Sequence, residues 1–304
     1  MVSNITMIER SEYLHRREST DGKRMETLFR KAFAEQKAHP ENAMVSVMSV
    51  LKEIPQAKVL LSEVWDEFGV MFGAGRKDLP FKINICGQAI CDELTVLNTV
   101  IPTAILHQTR SNIEMELARE TFANGGHFVA IGSSVGWGPI TALYKEHASF
   151  PSLALVDANG KAISIAKQLL SRLNLEAFAK AYSMSVFADN VSVEFPADVI
   201  STIGFDGHYM SDESFVQFQQ SKWRRIKNGG CMLFDVSHDD DEVVRDTLEL
   251  LLHLKDVSYG GGLKFRYRSV DEALALVNAA ELDEADITVY KCGNYGAVIK
   301  VEKG

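Results

Sequence analysis

Residues from about 20 to 120 carry apolar side chains at three- and four-residue steps in METLFRKAFAEQ, AMVSVMSVLKEI, LLSEVWDEFGVMF and TRSNIEMELARETF. This is the spacing of amphipathic helices, and it leaves this half without an obvious strand. From GGHFVAIG onward the pattern changes to short apolar runs alternating with amphipathic helices, which predicts a parallel sheet with crossover helices. Strands are predicted over 128–132, 152–156, 183–187, 197–203 and 230–236, and helices over 137–147, 159–173, 212–227 and about 240–254. ADITVYK (Ala285 to Lys291) and YGAVIKV (Tyr295 to Val301) then form an antiparallel hairpin around a tight CGN turn. The change of pattern places a boundary near Asn124 to Gly126, between a helical domain over 1–123 and a sheet domain over 124–304.

A chain of 304 residues suits this two-part layout better than a single core. No apolar run reaches the length of a bilayer span, and the opening MVSNITMIERSEYLHRREST lacks the basic-then-apolar order of a signal peptide, so a cytoplasmic protein without a membrane partner is expected. The formal net charge of −9 argues against nucleic acid as a partner. The one dense basic patch, KWRRIK (Lys222 to Lys227), reads as the solvated end of a helix. Cys86, Cys91, Cys231 and Cys292 have no metal-ligand spacing and are expected as reduced thiols, with Cys231 and Cys292 in apolar strand contexts. No metal site is expected; the acids of SHDDDE (Ser237 to Glu242) are read as helix-start acids.

Ligands of an open parallel sheet bind beyond the carboxyl ends of its strands. The loop GSSVGWG falls at such an end. Gly132 and Gly136 there permit positive φ and close backbone approach to a ligand, Ser133 and Ser134 keep the entrance open, and the next helix offers its N-terminal N–H groups. Tight turns without ligands use glycine as well. Asp157 ends the next strand, where it suits either the diol of a ribose or the cap of the helix near Asn159. Asp189 and Asn190 in FADN follow the third strand, as readers of an adenine edge or as an Asx turn.

In this order the elements resemble the class I S-adenosylmethionine-dependent methyltransferases over roughly 120–304: VAIGSSVGWG as the glycine motif, LVDAN as the ribose acid, FADN as the adenine edge, ADVISTIG as the fourth strand and WRRIKNGGCMLFDV leading into the fifth. The resemblance implies a Rossmann-like, seven-stranded α/β sheet, mostly parallel with an antiparallel last strand. It implies S-adenosylmethionine as cofactor, with Gly132, Ser133, Ser134, Gly136, Asp157, Ala158, Asp189, Asn190, Ile203 and Gly204 around it, and methylation of oxygen or nitrogen on a small molecule. Ala130 stands where that family carries an acid, and Ser134 where it carries glycine. The loop also resembles that of nicotianamine-synthase-like enzymes, which transfer the aminobutanoyl arm of the same cofactor. A nicotinamide dehydrogenase fits less well because GxGxxG is not met, and a non-catalytic interaction module is the remaining alternative.

On the substrate side, GFDGHYMSDE places Asp206, His208 and Tyr209 at the rim, with His208 as a candidate base and both His208 and Tyr209 as candidate catalytic residues. Lys264, Arg266 and Arg268 alternate along an extended segment, facing either an anionic substrate or solvent at a sheet edge. His253 is read as structural. The helical domain is expected to act as a lid or as the surface of a homodimer, with His107, Gln108 and Arg110 as candidates to reach the site from above.

Overall fold

The computed structural model describes residues 4–10, 20–39, 84–85, 88–89, 102–184, 196–238, 242, 245 and 265–304. The chain divides into two compact units: Met1–Arg10, Arg110–Ser237 and Arg266–Gly304 form the first, and Ser11–Thr109 with His238–Phe265 the second. The division differs from a single cut at Asn124, because the first ten residues and most of the helix before Gly125 belong with the sheet.

The second unit contains helix α1 (Thr20–Ala38) and the two-residue strands β2 (Asn84–Ile85) and β3 (Gln88–Ala89). Phe33 of α1 is buried, and Arg30 pairs with Glu26 one turn back and with Glu242. The expected helices around 43–54 and 60–72, most of that at 240–254, and Cys86, Cys91, His253 and Asp239 to Asp241 lie outside the described residues. No helix among the described residues is long and apolar enough to cross a membrane.

The first unit is built on one sheet. Its strands are β1 (Asn4–Glu9), β4 (His127–Ile131), β5 (Ser152–Asp157), β6 (Ala179–Ser183), β7 (Ala197–Ser201), β8 (Ile226–Ser237), β9 (Ala285–Lys291) and β10 (Gly296–Lys303), in the order β1-β9-β10-β8-β7-β4-β5-β6. β4 and β5 are near-continuous apolar runs because helices cover both faces of a parallel sheet. β10 runs antiparallel between β8 and β9, as the closing hairpin predicts. The eighth strand, β1, was not expected: NITMIE pairs in parallel with β9 and is exposed along its length, so it carries no buried alternation for sequence reasoning to find. β6 lies at 179–183 rather than 183–187. Ala179 and Ala181, buried on alternate positions, are too small to have marked it as a strand.

The helices of this unit are α2 (Pro102–Ala123, which continues out of it before Arg110), α3 (Trp137–Lys145), α4 (Gly160–Arg172), α5 (Asp206–Tyr209), α6 (Asp212–Arg225) and α7 (Val270–Ala279). Ile113 of α2 packs on Leu233 and Val298, whereas α6 and α7 cover the opposite face, with Phe215 edge-on to Phe234. Ser211 caps α6, and Ser269 with Glu272 forms a capping box on α7. After α6 the chain is already in strand at Ile226. Gly230 is needed there, since a Cβ would lie 2.7 Å from the Asp198 carbonyl. Cys231 and Cys292 are buried free thiols as expected, and burial pushes both up to about 12.

Lys222 departs from the solvated helix end expected of KWRRIK. It is buried, with Nζ 2.6 Å from Asp206 and donating to Thr202, and Gln219 donates to the same Asp206 oxygen. Burial pushes the Lys222 amine down from its ordinary value, and Asp206 opposes that shift. Removing one partner of such a pair strands a buried charge. Lys222→Met is expected to lower unfolding free energy by about 3–5 kcal/mol in urea titrations, and adding Asp206→Leu to recover most of it. A loss under about 1 kcal/mol for the single variant would show that the pair carries no such weight.

Candidate functional site

From β4 the chain moves outward to β5 and β6, then returns to place β7 on the other side of β4. Strand order therefore reverses at β4, and the carboxyl ends of β4 and β7 are where open parallel sheets bind their ligands. The loop 132–136 leaves β4 at this point. Gly132 and Ser133 donate to the Val156 carbonyl, and Gly136, in the left-handed region, precedes α3. The two glycines are required by the protein's own packing: a Cβ would fall 2.8 Å from Phe205 at Gly132 and 2.6 Å from Leu155 at Gly136. Their missing side chains thus face protein, and both take the positive φ expected of them, 69° at Gly132 and 73° at Gly136. Ser134 also takes positive φ, at 50°, so the residue standing in for glycine adopts the conformation glycine favours.

Asp157 holds this loop. Its Oδ2 accepts from the Ser134 N–H and its Oδ1 from the Asn159 N–H, both at 2.7 Å. Asn159, not Asp157, caps α4, through its Oδ1 to Ala162 N. Asp157 is half-buried and Ala158 follows it. Beyond β7, Ile203 is half-buried, and Gly204 at φ 79° has no atom within 4 Å of where a Cβ would stand. Asp189 and Asn190 lie outside the described residues.

Next to these strand ends, the end of β8 carries Asp235, fully buried. Its Oδ1 accepts from the Gly204 N–H at 2.6 Å; its Oδ2 lies 3.0 Å from His208 Nε2 and accepts from Arg110 Nη1, which is 3.2 Å from the same imidazole nitrogen. Burial pushes the Asp235 carboxyl up, but Arg110, His208 and the Gly204 N–H outweigh it and hold the group well below the usual carboxylate range. α5 reaches this position because residue 207 has no side chain: a Cβ on Gly207 would stand 1.9 Å from the Asp235 carbonyl oxygen. Arg268 straps the turn, donating to the carbonyls of Gly207 and Met210 and to Asp212, while the Arg266 N–H donates to the His208 carbonyl.

Several expectations change here. Asp206 and His208 are not rim residues: they are 0% and 1% exposed. Tyr209 is half-buried, its ring edge-on to that of His208. Arg268 is buried in the strap, so it faces neither an anionic substrate nor solvent; Arg266 is exposed, and Lys264 lies outside the described residues. Arg110 does reach the site, at Asp235 and His208; the side chains of His107 and Gln108 lie outside the described residues. Asp235 and Glu114 were not anticipated. Glu114, one turn after Arg110 on α2, accepts from the Ser201 hydroxyl at the end of β7. Arg110, Ile113, Glu114 and Leu117 share one face at three- and four-residue steps, so the signal was an acid and a base inside an otherwise apolar helix stripe.

No protein family and no curated protein matches the chain by sequence. Solved structures do match it in fold. An O-methyltransferase family protein from Burkholderia thailandensis is 14% identical, over 79% of this chain and 68% of its own, with a TM-score of 0.50. The chain shares the mostly parallel, Rossmann-like α/β fold of that protein. A protein from Bordetella parapertussis, described as a possible exported protein, matches 97% of this chain and 99% of its own at 13% identity and a TM-score of 0.59. The sheet expected from the resemblance is thus present, with β1 added at its edge.

The lowered Asp235 value has a consequence for acid stability. Its folded pKa lies below the unfolded one, so on acidification the unfolded chain binds the proton first. The stabilisation is complete above about pH 5 and lost progressively as pH falls through and below about 4. Melting temperature is expected to fall more steeply below that pH in the wild type than in Asp235→Asn, and parallel curves would remove Asp235 from this role. Gly207→Ala is expected to destabilise the fold by at least about 2 kcal/mol in urea, because backbone meets the new Cβ; wild-type stability would contradict the close approach of α5 to β8.

Proposed function

We propose that the protein is an S-adenosylmethionine-dependent methyltransferase that methylates an oxygen or nitrogen of a small molecule. The observation that carries this reading is Asp157. It is a half-buried carboxylate at the end of β5, next to the switch-point strand β4, its two oxygens oriented by the Ser134 and Asn159 N–H groups. Each oxygen keeps a second lone pair, so the group is able to accept from two vicinal hydroxyls of a ribose. The antiparallel β10 between β8 and β9 and the likeness to an O-methyltransferase family protein support the same reading. Ser133, Ser134, Gly136 and the first turn of α3 are assigned to the amino-acid end of the cofactor, Ala158, Ile203 and Gly204 to its flanks, and Asp189 and Asn190 to the adenine edge.

When bound, S-adenosylmethionine supplies a methyl group on a sulfonium sulfur. The chain's own tasks are to align the acceptor in line with that bond and to take up its proton where the acceptor carries one. His208 is proposed as the base. With Nε2 directed at Asp235, which fixes the orientation of the ring, Nδ1 is the nitrogen that takes the proton. Tyr209 is assigned to cover the acceptor. The helical segment up to 123 is assigned acceptor selection and the surface of a homodimer. Buried, unpaired thiols at Cys231 and Cys292 favour a reducing, cytoplasmic compartment.

Calorimetric titration of the folded protein with S-adenosylmethionine and S-adenosylhomocysteine tests the reading, which predicts heat with both. Asp157→Ala is expected to weaken binding by about 1–3 kcal/mol, and unchanged affinity would take Asp157 out of the site. His208→Asn is expected to keep cofactor binding and lose at least about 100-fold in kcat. Turnover should release S-adenosylhomocysteine; methylthioadenosine instead would mark aminobutanoyl transfer.

A further inference from the structure

We infer that Glu114, on α2, is the carboxylate that receives the ammonium group of the bound cofactor. This inference rests on the reading of the site as one for S-adenosylmethionine. The amino-acid end of that molecule is a zwitterion, so a site for it needs N–H donors for the carboxylate and an acid for the ammonium, close together. The first turn of α3 offers the donors where it leaves the glycine loop. β4, which feeds that loop, offers no acid: HFVAI ends in Ala130 and Ile131.

Glu114 brings the acid from a different element. Ser201, whose hydroxyl donates to Glu114 Oε1, lies directly across the β4–β7 ladder from Ala130, so the carboxylate stands over the last residues of β4. Its other oxygen lies beside α3. A Cβ on Gly138, the second residue of that helix, would be 3.3 Å from Glu114 Oε2, so the absent side chain makes room for the carboxylate at the helix's first turn. Packing of Ile113 against Leu233 and Val298 fixes the rotation of α2 that delivers Glu114 here.

The test compares two ligands by calorimetry: S-adenosylhomocysteine and its analogue with the α-amino group replaced by hydrogen. The wild type should prefer the amino form by about 10- to 100-fold, the range of a charge-assisted hydrogen bond. Glu114→Gln should bind the two alike and hold the deaminated analogue as tightly as the wild type does. Glu114→Asp, which keeps the charge on a shorter arm, should retain part of the preference. A wild type that binds both ligands equally, or a full preference surviving in Glu114→Gln, overturns this inference while leaving the cofactor reading intact. A wild type that binds neither ligand overturns both.

Discussion

The carboxylate of Asp235 is the interaction on which the carboxyl edge of the sheet depends. Fully buried at the end of β8, it is satisfied by protein, and three segments converge to do so: the loop after β7 through Gly204, α5 through His208, and α2 through Arg110. That requirement ties the turn after β7 to β8 and, together with the packing of Ile113 on Leu233 and Val298, sets the face that α2 presents. A second buried pair, Lys222 with Asp206, and the Arg268 strap then hold the short α5 turn from the other side. The result is a buried polar network beside the point where sheet order reverses.

The glycine loop depends on a parallel constraint. Gly132 and Gly136 are dictated by contact with Phe205 and Leu155, so their presence speaks for the fold before it speaks for a ligand. The residue that ties the loop to chemistry is Asp157, because it spends one hydrogen bond per oxygen on backbone and stays half-buried at the mouth. Ser134 is compatible with the loop for the same reason: its left-handed conformation is held by that carboxylate. Departure from a glycine pattern therefore leaves the geometry of the turn intact.

Much of the sheet was legible in the sequence, because buried parallel strands such as FVAI and LALV cannot be anything but apolar. What escaped was of two kinds. β1 is an edge strand exposed throughout, so nothing in its pattern reports its pairing. Lys222, Arg268, Asp206 and His208 are polar residues whose burial depends on partners far away in sequence, and a charged residue carries no local mark of being paired inside. Asp235 and Glu114 depend on tertiary pairing as well: only the packing of α2 on the ends of β7 and β8 gives each its partner, and the one local trace is the acid and base in the α2 stripe. Residues set by the local chain were readable, and residues set by tertiary pairing were not.

The central claim is that a nucleoside cofactor binds at the carboxyl ends of β4, β5 and β7. Amide hydrogen exchange, measured on the whole protein with and without saturating S-adenosylhomocysteine, tests it most directly because it reports where the ligand sits. Slowed exchange at 132–138, 157–160 and 203–205, with β9 and β10 unchanged, is the predicted result. Exchange at those three loops unaltered by the ligand, or protection confined to other segments, would contradict the account.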